Sequence, residues 1–183
     1  IIMNYNKKIE FLKNLSFKEG NFKLSSGKIS NFYFDIKKAL LNGKGNFYIA
    51  TSIYQILNIR VIGIGGMELG AVPLVSSISF WSYQMDNPLN SFIIRKKPKE
   101  YGTSQYIEGL ENFSENSKVA ILEDVTTTGK SILTAYERAQ QCGLNPIQLI
   151  TVLDREEGAV EYLDRNGISL YSLYKKSDFI NLE

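Results

Sequence analysis

The sequence predicts an α/β fold, a parallel sheet with helices on both faces. Three observations carry that prediction. Short apolar, β-branched runs recur at Val61–Ile64, Ser91–Ile94, Val119–Leu122 and Ile147–Leu153, and runs of this length bounded by turn residues read as buried strands. Segments with apolar residues at helical spacing lie between them, and strand–helix alternation is satisfied by a parallel sheet with crossover helices. Each of these runs ends in glycine-rich, basic or acidic residues. Open α/β sheets place their ligands at that carboxyl edge.

In chain order, Ile9, Leu12 and Leu15 recur at helical spacing, predicting a helix over Tyr5–Leu15 that Phe17-Lys18-Glu19-Gly20 ends. Ser25-Ser26-Gly27-Lys28 reads as a turn between two extended segments, the second being Phe32–Ile36. Its rings fit a strand that fills the core, and equally an aromatic wall for a flat ligand. Gly45–Leu57 reads as a helix. Val61–Ile64 then runs into the turn Gly65-Gly66-Met67-Glu68-Leu69-Gly70. Such a turn can be a plain reversal, or it can bring backbone N–H groups close to a pyrophosphate. Ala71–Phe80 reads as a helix with Pro73 in its first turn, where proline is tolerated.

After Ser91–Ile94, four of the five residues from Arg95 to Lys99 are basic. A charge run often marks a solvated face. This one follows an apolar strand and carries Pro98, Gly102 and Ser104, which suits a loop that meets an anion. Ser131–Cys142 is helical and Gly143 closes it. Ile147–Leu153 is a strand ending in Asp154-Arg155-Glu156-Glu157-Gly158. The planar fork of Arg155 suits a carboxylate or an imide edge, or a surface salt bridge. Ala159–Asn166 and Ile168–Leu173 are the last helix and strand.

The most informative stretch is Lys118–Ser131, KVAILEDVTTTGKS. A buried strand delivers two adjacent acids, Glu123 and Asp124. The turn Val125-Thr126-Thr127-Thr128-Gly129-Lys130-Ser131 then opens a helix. Unpaired N–H groups and the positive dipole end favour an anion there. Gly129-Lys130-Ser131 matches the end of a P-loop, but that motif needs glycine where Asp124 stands. A merely capped helix start explains the hydroxyls. It does not explain two acids at the end of a buried strand, which repel and lose solvation. A phosphate cradle beside acceptors for sugar hydroxyls describes a ribose 5-phosphate site.

Composition bounds the rest. The 183 residues suit a single domain over residues 1–183, with 44% apolar and 22% charged residues. A net charge of +2 gives no field that would recruit nucleic acid. Cys142 is the lone cysteine, which excludes an intrachain disulfide and suits a reducing cytoplasm. With no histidine in the chain, His-based acid–base chemistry, triads and His metal ligands are excluded. No apolar run approaches the roughly 18 residues of a membrane span. The opening IIMNYNKKIEF has no long apolar region of the kind a secretion signal carries.

ILEDVTTTGKS resembles the phosphoribosyl pyrophosphate (PRPP) signature of the type I phosphoribosyltransferases. FKLSSGKISNFYFD, RKKPKEYG and DREEG resemble segments of the orotate branch. The resemblance spans roughly residues 22–158. It implies the type I phosphoribosyltransferase fold with a small N-terminal hood over about residues 1–40, and transfer of phosphoribosyl from PRPP to orotate. It implies that Arg95, Lys96, Lys99 and Tyr101 meet the pyrophosphate of PRPP, with Lys99 catalytic. Glu123 and Asp124, also catalytic, would hold the ribose, Thr126, Thr127, Thr128, Gly129, Lys130 and Ser131 the 5′-phosphate, and Val125 would meet PRPP beside them. Gly65, Gly66, Met67 and Glu68 would form the pyrophosphate loop, where the family often holds a strained or cis peptide. Ser25, Tyr33, Phe34, Thr127 and Arg155 would contact orotate. Mg²⁺ is implied as a cofactor bound mainly through PRPP, with no direct metal ligand. A homodimer sharing its catalytic loop between subunits is implied as well.

Lys97 stands where the family usually has an acid, and Tyr101 where it usually has histidine. An uncharged phenol can donate to phosphate but adds no positive charge. Three other functions fit parts of the pattern: transfer to a purine base, a PRPP-sensing regulator that binds nucleic acid, and a catalytically weakened relative.

Overall fold

The computed structural model describes residues 5–23, 29–98 and 106–180. Helix α1 (Tyr5–Ser16) leads into a hairpin of β1 (Phe17–Lys23) and β2 (Ile29–Phe34), followed by α2 (Ile36–Leu40) and α3 (Gly43–Ile56). Then come β3 (Gly63–Met67), α4 (Ala71–Gln84), β4 (Asn90–Ile94) and the short β5 (Ile107–Glu108). The chain continues through β6 (Lys118–Thr126), α5 (Lys130–Gln141), β7 (Asn145–Asp154), α6 (Ala159–Asp164), β8 (Leu170–Lys175) and α7 (Lys176–Ile180).

Six strands form one sheet in the order β5-β4-β3-β6-β7-β8. β5 runs antiparallel to β4, and the other neighbouring pairs are parallel. From β3 the chain crosses by α4 to β4 on one side. From β6 it crosses by α5 to β7 on the other. Right-handed crossovers taken in opposite directions put their helices on opposite faces. Accordingly Leu74 and Ile78 of α4 share one core with Ile49 and Ile53 of α3, while Ile132, Ala135 and Ala139 of α5 share the other with Leu163 of α6. β6 serves both layers through its two-residue period: Ala120 and Leu122 face the first core, Val119 and Ile121 the second. The order reverses between β3 and β6, which opens a crevice at their carboxyl ends.

The N-terminal segment is tied to the first core by Ile9, Leu12, Ile36 and Leu40, which join Phe179 of α7 there. Asn42 caps α3 by accepting from the Gly45 N–H at 3.0 Å.

Element boundaries differ from the sequence reading in ways that matter for the site. β3 runs through Met67, so Gly65 and Gly66 are strand residues and the turn shrinks to Glu68–Gly70. The Phe92 ring and the Leu122 carbonyl pack where Cβ atoms at Gly65 and Gly66 would stand. β6 likewise runs through Thr126, which makes Glu123 and Asp124 buried strand residues. α2, β5 and α7, of 5, 2 and 5 residues, are too short to show a period. No helix among the described residues is long and apolar enough to cross a membrane.

Candidate active site

The β6–α5 connection encloses a cavity of about 290 Å³. Glu123, Val125 and the run from Thr126 to Ile132 line it. Gly129 makes the turn possible: its φ of +82° is a left-handed conformation that a side chain would strain. α5 begins at Lys130, with its first amides presented to the cavity's end of the helix. Thr126 Oγ1 is buried and has no hydrogen-bond partner among the described residues. A buried hydroxyl of that kind is available to bond a group that enters the cavity.

The acids floor this cradle, each 7% exposed. Ser131 Oγ donates to Glu123 Oε2 at 3.1 Å. Burial, then the neighbouring Asp124 carboxylate, pushes the Glu123 carboxyl up to about 8. At neutral pH Glu123 therefore retains a proton and can donate one hydrogen bond, while the Asp124 carboxylate accepts. Together they match the mixed needs of a vicinal diol. Asp124 is also where the crevice closes: a Cβ at Gly70 would overlap its carboxylate. Lys37 of α2 reaches Asp124 Oδ2 at 3.3 Å.

Across the crevice, the peptide bond Glu68–Leu69 is cis. Glu68 Oε1 accepts from the Lys96 amide at 2.7 Å, which joins the β3–α4 turn to the start of the basic stretch. Arg95 pairs with Glu108 of β5 at 3.1 Å, and the Lys96 side chain is exposed. Arg138 of α5 stacks on the Tyr106 ring at 4.3 Å and donates to the Arg95 carbonyl at 2.7 Å. Neither Arg138 nor Lys37 was singled out from the sequence. Their only signal was a basic side chain on an element flanking a motif. Lys99 and Tyr101 lie outside the described residues, as does Ser25.

β7 ends beside β6, with Thr126 in register with Asp154. The Arg155 amide donates to the Thr126 carbonyl at 2.9 Å. Arg155 is 9% exposed, yet its Nε and Nη2 make no hydrogen bond among the described residues. Nη2 lies 2.9 Å from Glu157 Oε1, close enough for ionic attraction without hydrogen-bond alignment. A buried guanidinium with donors to spare can offer its planar fork to a carboxylate or imide acceptor.

The hairpin separates its aromatics by strand alternation. Tyr33 is 39% exposed and packs beside Phe22. Phe34, expected against the base, lies instead in the core at 6% exposure, against Phe17 and Phe179. One residue along a strand reverses the face, so both rings could not line one wall.

No family model matches the chain. The orotate phosphoribosyltransferase of Aquifex aeolicus (strain VF5) is 39% identical over 184 residues, covering 98% of this chain and 100% of that relative. Among solved structures, Mycobacterium tuberculosis H37Rv orotate phosphoribosyltransferase is similar with a TM-score of 0.82 at 29% identity, covering 97% of this chain and 98% of that one. A second structure of that enzyme, in complex with 5-phospho-alpha-D-ribosyl 1-diphosphate (PRPP), gives a TM-score of 0.76 at 28% identity, covering 95% and 97%. Relatedness along nearly the whole length joins the sheet-edge geometry to a known group: the chain belongs to the orotate phosphoribosyltransferase family.

Proposed function

We propose that this chain transfers the 5-phosphoribosyl group of PRPP to orotate, giving orotidine 5′-monophosphate and pyrophosphate in pyrimidine biosynthesis. The observation that carries the reading is the juxtaposition at one sheet edge of the β6–α5 cavity, its buried acid pair and the idle Arg155 donors. Amides and hydroxyls of Thr126–Ser131 hold the 5′-phosphate. Glu123 and Asp124 hold the ribose hydroxyls. Arg155, Thr127 and the exposed Tyr33 ring hold orotate.

The ring nitrogen of orotate, giving up its proton to water, attacks the anomeric carbon as the bond from that carbon to pyrophosphate breaks, and the electron pair leaves on the pyrophosphate oxygen. The transition state resembles an oxocarbenium ion and needs no protein nucleophile. Charge on the leaving group is the difficulty, and Lys99, aided by Arg95 and Lys96, meets it. Tyr101 would add a hydrogen bond there.

Among the described residues no group of three or more acidic, His or Cys side chains could cage a metal. A Mg²⁺ ion would be carried mainly by the oxygens of PRPP, as Mg²⁺ commonly is. When bound, it supplies neutralising charge at the pyrophosphate.

The same reading places the protein in the cytoplasm and pairs it as a homodimer. Leu41, Phe47 and Phe80 are exposed around an apolar groove of about 660 Å³ between α3 and α4, which favours a covering subunit. Mixing the impaired Lys99→Ala and Arg155→Ala chains, assayed at orotate well below the KM of Arg155→Ala, tests loop sharing. Regained activity supports it; none argues for independent subunits.

Pyrophosphate release from PRPP across a panel of bases tests the reaction. Orotate should be the base that supports turnover. Turnover with a purine and none with orotate would reject the assignment.

A further inference from the structure

Lys37 lies outside every motif that pointed to the site, yet its ammonium meets two carboxylates. One is Asp124 Oδ2 at 3.3 Å, the other Asp35 Oδ1 at 3.6 Å. Asp35 occupies the N-cap position of α2 but makes no side-chain capping bond. Its Oδ1 is buried and accepts no hydrogen bond among the described residues. A cap residue that forgoes its cap needs another use for its carboxylate, and the ammonium of Lys37 supplies it.

The arrangement has a direction. The Asp35 amide donates to the Ser16 carbonyl at 2.8 Å, which fixes Asp35 between α1 and α2. Lys37, one residue inside α2, then reaches across to β6. The Asp124 carboxylate is thus held from two sides. The Gly70 backbone closes one flank so tightly that no Cβ would fit, and the Lys37 ammonium bonds the other. Burial opposes a charge on Lys37, but Asp124, then Asp35 and Tyr33, outweigh it and raise its pKa. Among the described residues, Glu123 and Asp124 from β6, with Asp35 and Tyr33 from the hairpin side, are the titratable groups that face this cluster.

We propose that Lys37 is a positioning residue for the ribose clamp: it holds the Asp124 carboxylate in the orientation that accepts the sugar hydroxyls. The inference rests on the role proposed above for Asp124. It makes the N-terminal unit part of PRPP binding as well as of base binding. A carboxylate held before the sugar arrives loses less freedom on binding, so the effect falls on PRPP affinity.

The test is steady-state kinetics of Lys37→Met and Lys37→Arg beside the parent enzyme, with PRPP and orotate varied separately. One charge-assisted hydrogen bond at a half-exposed site predicts a KM for PRPP raised about five- to tenfold in Lys37→Met. The KM for orotate should stay within about twofold, and Lys37→Arg should restore most of the loss. If Lys37→Met melts lower without ligand, calorimetric titration of PRPP into folded Lys37→Gln replaces it, with the same weakening expected. An unchanged KM for PRPP, an equal loss for both substrates, or an arginine variant as poor as methionine overturns the role. A parent that neither binds nor turns over PRPP defeats the functional reading instead, so the two failures are told apart.

Discussion

The β6–α5 cradle and the basic stretch after β4, which we propose serve one substrate, have opposite constructions. The cradle is made as the sheet forms: its acids are buried in β6, and Ser131 holds one of them. The basic stretch leaves Lys96, Lys97 and Pro98 exposed, and Arg95 begins it already paired with Glu108. A site fixed at folding grips ground state and transition state alike. Charges that engage the leaving pyrophosphate act where charge develops, and only that difference speeds the chemistry.

The contrast can be broken at either end. Lys99→Ala should lower turnover about 10²–10³-fold, while PRPP still raises the melting temperature of the protein. Equal losses of binding and turnover would erase the distinction. Arg155→Ala should raise the KM for orotate about 10–100-fold, since it deletes a charged donor from a buried site. Its KM for PRPP should hold, and a change there would place Arg155 in the cradle instead. Arg138→Ala should lower kcat about tenfold through the anchor it gives the Arg95 carbonyl. PRPP binding should be spared, and calorimetry checks that.

The smallest effect concerns pH. Glu123 has a folded pKa of about 8, above its ordinary 4.5. A carboxyl raised on folding contributes stability that is fully present below pH 4.5 and is lost as pH rises through 8. Melting curves without PRPP should therefore fall across that window, and Glu123→Gln should flatten the fall. A parent curve that rises there would place the proton elsewhere.

What could be read from the sequence follows the same division. Glu123-Asp124 and the hydroxyl-rich turn were legible because two acids at the end of a buried strand, followed by a helix start, have few other uses. The strand runs were legible because both faces are covered, so apolar residues are continuous. Gly65 and Gly66 read as a turn because composition does not reveal that Phe92 and Leu122 fill the missing Cβ space. Phe34 resembled its neighbour Tyr33 in type; strand alternation puts the two on opposite faces, but side-chain type does not say which face is buried. Lys37 and Arg138 were illegible for a different reason. Their partners lie 87 and 43 residues away, and no local pattern encodes such contacts.

The central claim is that a buried acid pair and a hydroxyl-lined helix start were shaped for a ribose 5-phosphate. Thermal melting with and without PRPP and Mg²⁺ tests it most directly. Ligand at a hundredfold excess over its Kd adds about 2.7 kcal/mol, so for a chain of this size Tm should rise by roughly 5–10 °C. A melting curve that PRPP leaves unmoved would contradict it.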